Sequence, residues 1–216
     1  MSSQPPPEPP SRGRTPWVGV SLAVVALLVG AATGTLLFVL AVVGLVALGR
    51  WARVAGRGTV DRILTAAEYQ MTPSLDALGF TIAAEGVGPR APDDAVAAVL
   101  PAGGRTVRQR FVPREDLRAL EIATLEVTGG LAGLRQRAVV TVAHELADPA
   151  DAPAASALLQ ASTVVPAGEV PETTRFACEH GWLVASFDPL RSRDPGAVAG
   201  LLASALTRIV EDARRR

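Results

Sequence analysis

The residues predict an α+β protein. An N-terminal transmembrane segment, folded as a helical hairpin or as one long tilted helix, precedes a single domain with an antiparallel sheet and a C-terminal amphipathic helix. Three observations carry this. Residues 17–49 hold no charged side chain and are mostly Val, Leu, Ala and Gly, the mark of insertion into a bilayer. Runs of β-branched and apolar residues punctuated by glycine fill the middle of the chain, as paired strands do. The C-terminal end repeats apolar residues at helical spacing.

Residues 1–15 are rich in Pro and Ser, with Gln4-Pro5-Pro6-Pro7-Glu8-Pro9-Pro10 at their centre. They read as a disordered, polyproline-like tail. The membrane segment follows over 16–50. A straight helix over its uncharged part would be about 50 Å long at ~1.5 Å per residue, against a hydrocarbon core of about 30 Å. One helix would tilt steeply; two would be slightly short, with a turn near Gly30-Ala31-Ala32-Thr33-Gly34-Thr35. Gly30 and Gly34 fit either option, as the turn of a hairpin or as a G-x-x-x-G surface for self-association. A cleaved signal peptide does not fit, because the apolar run far exceeds the ~7–15 residues expected.

Arginines set the orientation. Arg12 and Arg14 precede the run, and Arg50, Arg53, Arg57 and Arg62 follow it. The positive-inside rule places the basic flanks, and with them the C-terminal domain, in the cytoplasm at the cell inner membrane or plasma membrane. Trp17 and Trp51 suit interfacial anchors. Residues 51–71 read as a juxtamembrane basic helix with Val60, Ile63 and Leu64 on one side, and residues 72–216 as the cytoplasmic domain.

Within that domain, Thr72-Pro73 reads as a cap and first-turn proline opening a short helix to Leu78. Gly79 stops it before a strand at 80–82. Pro92-Asp93-Asp94 opens another short helix. Strands are expected at 106–112, 120–128 and 135–146, the last two joined by Gly129-Gly130-Leu131-Ala132-Gly133. A short helix over 154–161 precedes a hairpin of 174–178 with 182–187, turning at Glu179-His180-Gly181. Asp194-Pro195 caps the final helix, whose stripe is Val198, Leu201, Leu202, Ala205, Leu206, Ile209 and Val210. The residues beyond 58 are enough for one core and short for two domains.

The 21 basic residues are all arginine, and Asn is absent too. Both missing residues have AT-rich codons, which points to a GC-rich, bacterial coding sequence. No lysine means no P-loop lysine and no Schiff base. Beyond Gly49 there are 19 arginines against 20 acids, a balance that argues against nucleic acid as a partner. The single cysteine, Cys178, fits a reducing compartment.

The order of the apolar anchor, Gly79-Phe80-Thr81, Val164-Val165-Pro166, Gly181-Trp182-Leu183-Val184 and Asp194-Pro195 before a closing helix resembles uncharacterised membrane-anchored bacterial proteins. That resemblance implies no activity.

Candidate chemistry is sparse. His144-Glu145-Leu146-Ala147-Asp148 approaches the zinc motif H-E-x-x-H, but Asp148 replaces the second His and the segment ends a strand. Cys178-Glu179-His180 offers a thiol and an imidazole, with the His expected in a turn. The acid pairs Asp93-Asp94, Glu115-Asp116 and Glu211-Asp212 are adjacent, so their side chains diverge. No catalytic residue, cofactor site or metal site is assigned. Arg50, Arg53 and Arg57 would share one side of a continuing helix and could meet anionic headgroups. Arg105, Arg108, Arg110, Arg114 and Arg118 form a second basic region.

The functional expectation is a membrane-anchored cytoplasmic interaction or scaffold module. Its partners would be the lipid bilayer and a protein partner, or self-association through the membrane segment. The alternative is a membrane-tethered ligand-sensing domain that binds an anionic small molecule or lipid headgroup through the 105–118 arginines.

Overall fold

The computed structural model describes residues 24–25, 36–84, 90–100, 102–114, 120–129, 135–161 and 168–216. The fold is α+β, with a six-stranded antiparallel sheet and a C-terminal helix. The chain divides into two compact units, residues 1–52 and 53–216.

Helix α1 (Leu36–Ala77) is the first described element of any length. Of the uncharged run, Val24 and Val25 and the residues from Leu36 onward are helical. The predicted hairpin turn near 30–35 lies outside the described residues, as does the Pro-rich tail. Among the described residues no helix is long and apolar enough to cross a membrane.

One correction falls inside α1. Thr72-Pro73 does not open a new helix; Pro73 lies within α1. The Thr72 hydroxyl donates back to the Glu68 carbonyl at 2.7 Å instead of capping forward. Pro73 costs the Tyr69 carbonyl its helical donor, at a residue that is 82% exposed. Tertiary packing overrides the local signal: Val60, Leu64, Ala67, Met71 and Leu75 form one buried stripe across the proline.

The remaining elements follow in order: β1 (Phe80–Ile82), α2 (Asp93–Ala97), β2 (Gly104–Pro113), β3 (Leu120–Gly129), β4 (Arg135–Glu145), α3 (Ala152–Gln160), β5 (Arg175–Glu179), β6 (Trp182–Phe187) and α4 (Pro195–Arg214). The sheet order is β1-β2-β3-β4-β6-β5. Up to β4 it is a meander; β5 and β6 then add as a hairpin whose second strand docks on β4. That hairpin turns at His180 and Gly181, both at positive φ (53° and 76°), the conformation a two-residue turn between twisted strands requires.

Alternation along the strands makes two faces. Phe111, Ile122, Val140, Val142, Leu183, Ala185 and Phe187 point to one, under α1 and α4. Leu125, Val127, Val139, Ala143, Trp182 and Val184 point to the other, where Ala91, Ala95, Val99 and Leu100 cover them. This second cover is short, because α2 has a single turn and a half's worth of residues. Clefts form where it ends.

Helices α1 and α4 touch at glycine. A Cβ on Gly196 would come within 2.6 Å of the Ser74 Cβ and 3.2 Å of the Met71 Cα; one on Gly200 would come within 2.4 Å of the Leu78 Cδ1. Two small residues four apart thus let the helices approach closely. Asp194 caps α4, accepting from the Ala197 N–H at 2.9 Å.

Candidate functional site

Strand β2 carries Arg105, Arg108 and Arg110 of the predicted basic region, with Arg114 just past its end, and its local geometry decides where these arginines go. A β-bulge lies between Val107 and Gln109. Its extra residue resets the alternation, so that Arg105 and Arg110 share a face despite their odd spacing. Arg108, at the bulge, turns to the opposite side and reaches α1. There it pairs with Asp61, and with Glu68 at 4.0 Å. The hydrogen bond to Asp61 is the main reason its pKa is raised. Arg114 pairs with Asp76, farther along the same helix. Glu68 also accepts from the Thr124 hydroxyl at 2.7 Å, and that hydroxyl in turn accepts from the Gln109 N–H at 3.1 Å. Two of the basic region's five arginines therefore fasten α1 to the sheet.

Arg110 is spent in a different way. Its Nε donates to Glu121 Oε1 at 2.6 Å. Glu121 Oε2 accepts from the Ala91 N–H at 2.9 Å. Both side chains are largely buried, so each neutralises a charge that would otherwise be costly. The carboxylate also anchors the segment leading into α2.

Among the described residues, Arg105 is the member that remains. It lines a cleft of about 530 Å³ on the second face of the sheet, together with Arg90, Ala91, Val96, Glu121 and Thr141. Its Nη1 donates to the Asp93 carbonyl at 2.6 Å, while its buried Nε has no hydrogen-bond partner among the described residues. Arg118, Glu115 and Asp116 lie outside the described residues.

A second cleft, of about 610 Å³, opens where β6 ends. Phe187 is opposite Val140, while β4 continues back to Arg135 against β3. Val60 and Ile63 of α1 flank this gap on one side, with Val99 and Leu100 on the other. Arg137, Arg175 and Arg191 stand around it.

The other singled-out groups are placed apart. His144 is half-buried near the end of β4, with its Nδ1 2.8 Å from the Glu145 carbonyl oxygen. Asp148 accepts from the Ala150 N–H at 2.8 Å and so caps the turn at Pro149–Asp151. Cys178 packs beside the main core and donates to the Ala152 carbonyl at 3.6 Å. Burial, and then the Glu179 charge, pushes its thiol pKa up, the opposite of an activated nucleophile. His180 is exposed in the hairpin turn. Asp93 and Asp94 occupy the first turn of α2, and Glu211 and Asp212 face Arg215 on α4 at 4.0 and 3.9 Å. Arg50 and Arg57 are exposed on α1; the side chain of Arg53 lies outside the described residues. Among the described residues no cluster of three potential metal ligands occurs.

Sequence reasoning missed both clefts, the gap beside β4 and the glycine contact at 196 and 200. A usable signal existed for one feature: Glu121 stands directly between the apolar Leu120 and Ile122 of a strand, a position that demands a partner. No protein-family model, curated protein or solved structure matches the chain.

Proposed function

We propose that the protein is a membrane-tethered interaction module, held at the inner face of the cell membrane with its α+β domain in the cytoplasm. The observation that carries this is the uncharged run 17–49, followed at once by Arg50, Arg53 and Arg57. A charge-free stretch of that length is costly to leave in water, and the arginines fix which side keeps the domain. Near an anionic surface each adds about 1 kcal/mol of attraction. An interaction role is supported by the fate of the singled-out groups: Asp148 caps a turn, and Cys178, its thiol raised by burial, donates to the Ala152 carbonyl.

Protease accessibility tests the topology. Protease added outside intact cells should leave the C-terminal domain whole, and the same protease should remove it from inverted vesicles. Cleavage from outside intact cells would contradict the reading.

A ligand-sensing role has one specific observation in its favour, the Arg105 guanidinium in the 530 Å³ cleft beside Arg90. Under that reading inorganic phosphate or acetate raises the melting temperature of the wild-type chain, and Arg105→Gln loses the rise. Equal shifts in both proteins would remove it.

A further inference from the structure

Helix α1 is poorest in helix-forming residues where it first meets the sheet. Gly56-Arg57-Gly58-Thr59-Val60 lies wholly inside the helix and combines two glycines with two β-branched residues. Glycine is a weak helix former because it gives up the most backbone freedom, and β-branched residues lose side-chain freedom against the preceding turn. The Thr59 hydroxyl donates back to the Ala55 carbonyl at 3.1 Å, a bond that competes with the helical ladder. A Cβ built on Gly58 would meet nothing within 4 Å, so no packing contact demands a glycine there.

The same stretch is held differently from the rest of the helix. Ala67, Met71 and Leu75 belong to the main core. Val60 and Leu64 do not; they form a small cluster of their own with Ala138 of β4, and Ile63 packs against it. Their further fastening is polar and partly in water. Arg108 of β2 pairs with Asp61, the two side chains being 30% and 59% exposed. Glu68 stands 4.0 Å from the same guanidinium, and the charge of Glu126 acts on it as well. Glu68 sits on the docked side of the helix, where the Thr124 hydroxyl also holds it at 2.7 Å. Arg57 and Arg62, the other charges of the stretch, are exposed. Asp61 is thus the acid through which Arg108 grips the stretch itself.

We infer that residues 56–64 form a joint in α1: this stretch unwinds and re-forms while residues 67–77 stay docked, and Arg108 is the latch that holds it closed through Asp61. Poor helix propensity lowers the cost of opening, and the ion pair raises it. In a tethered module such a joint would let the domain turn on the chain ahead of it without unfolding. The joint itself does not rest on the tether, because the stretch, its latch and the docked segment all lie within residues 53–216.

Backbone hydrogen exchange on the full-length chain in nonionic detergent, corrected for intrinsic rates, tests this. The amides of residues 57–64 should exchange faster than those of residues 69–72 by about tenfold or more. Arg108→Gln and Asp61→Asn break the latch from opposite sides. Each should speed the 57–64 amides by about threefold and leave 69–72 unchanged. Gly58→Ala, at a position with open space around it, should slow the 57–64 amides by about fourfold, again without moving 69–72. Equal protection of the two stretches in the wild-type chain would overturn the inference. So would latch variants that speed both stretches alike or neither, or a Gly58→Ala chain whose 57–64 amides are no slower.

Discussion

Arg110 and Glu121 face each other across β2 and β3 at 2.6 Å, both largely out of water, and the second carboxylate oxygen holds the Ala91 N–H. This pair joins the sheet to the segment that forms its second cover. Removing one member of a buried pair strands the other charge, at a cost of about 3–5 kcal/mol. Arg110→Met should therefore lower the urea midpoint sharply. Arg110→Met combined with Glu121→Leu should recover much of the loss, leaving mainly the unpaired Ala91 N–H, worth about 1–3 kcal/mol. A double variant as weak as the single one would show that the charge pairing is not what matters.

The two glycines of α4 should respond differently to alanine. At Gly196 the new methyl meets the Ser74 Cβ and the Met71 backbone, so the helices must separate; a net loss of about 1–2 kcal/mol is expected. At Gly200 it meets only the end of Leu78, a side chain 56% exposed and free to turn away. There the better helix propensity of alanine, about 0.8–1 kcal/mol, should leave stability unchanged or raised. Thermal melts of Gly196→Ala and Gly200→Ala check this ordering.

Pro73 interrupts a helix that packing holds together. Pro73→Ala restores a donor for the Tyr69 carbonyl and removes a cost of about 3 kcal/mol, less up to about 1 kcal/mol of entropy returned to the unfolded chain. A gain of about 2–3 kcal/mol in urea is expected. Destabilisation would mean that the proline sets a bend the core requires.

Cys178 should be slow to react. Its thiol is raised above the ordinary range, chiefly by burial, so near pH 8 the native thiol stays protonated and alkylates far more slowly than in urea. The folded state holds this proton more tightly than the unfolded chain, whose thiol titrates near 8.5. Its contribution to stability is thus full below that pH and declines as pH rises through the higher folded value. Cys178→Ala should flatten this alkaline loss; an identical alkaline profile would assign it elsewhere.

Much of the fold is legible in the chain because local and tertiary signals agree there. Residues 135–145 read as a buried strand because Ala138, Val139, Val140 and Val142 put apolar side chains on both faces, and both faces are covered. Asp194-Pro195 reads as a helix start because cap chemistry is local. The miss at Thr72-Pro73 has the opposite cause: the pair carries a start signal that the stripe from Val60 to Leu75 outweighs, and that stripe matters only once the sheet is in place. The arginines of β2 were legible as a group but not in their roles. A one-residue bulge decides which of them faces α1, and no composition encodes a bulge. The gap beside β4 depends on where β6 stops relative to β4, a register between segments far apart in the chain.

The tether is tested most directly by alkaline carbonate extraction of membranes from cells that express the native full-length chain. Integral insertion predicts that the protein stays in the membrane pellet and leaves it only with detergent. Release of the full-length chain into the carbonate supernatant would contradict the account.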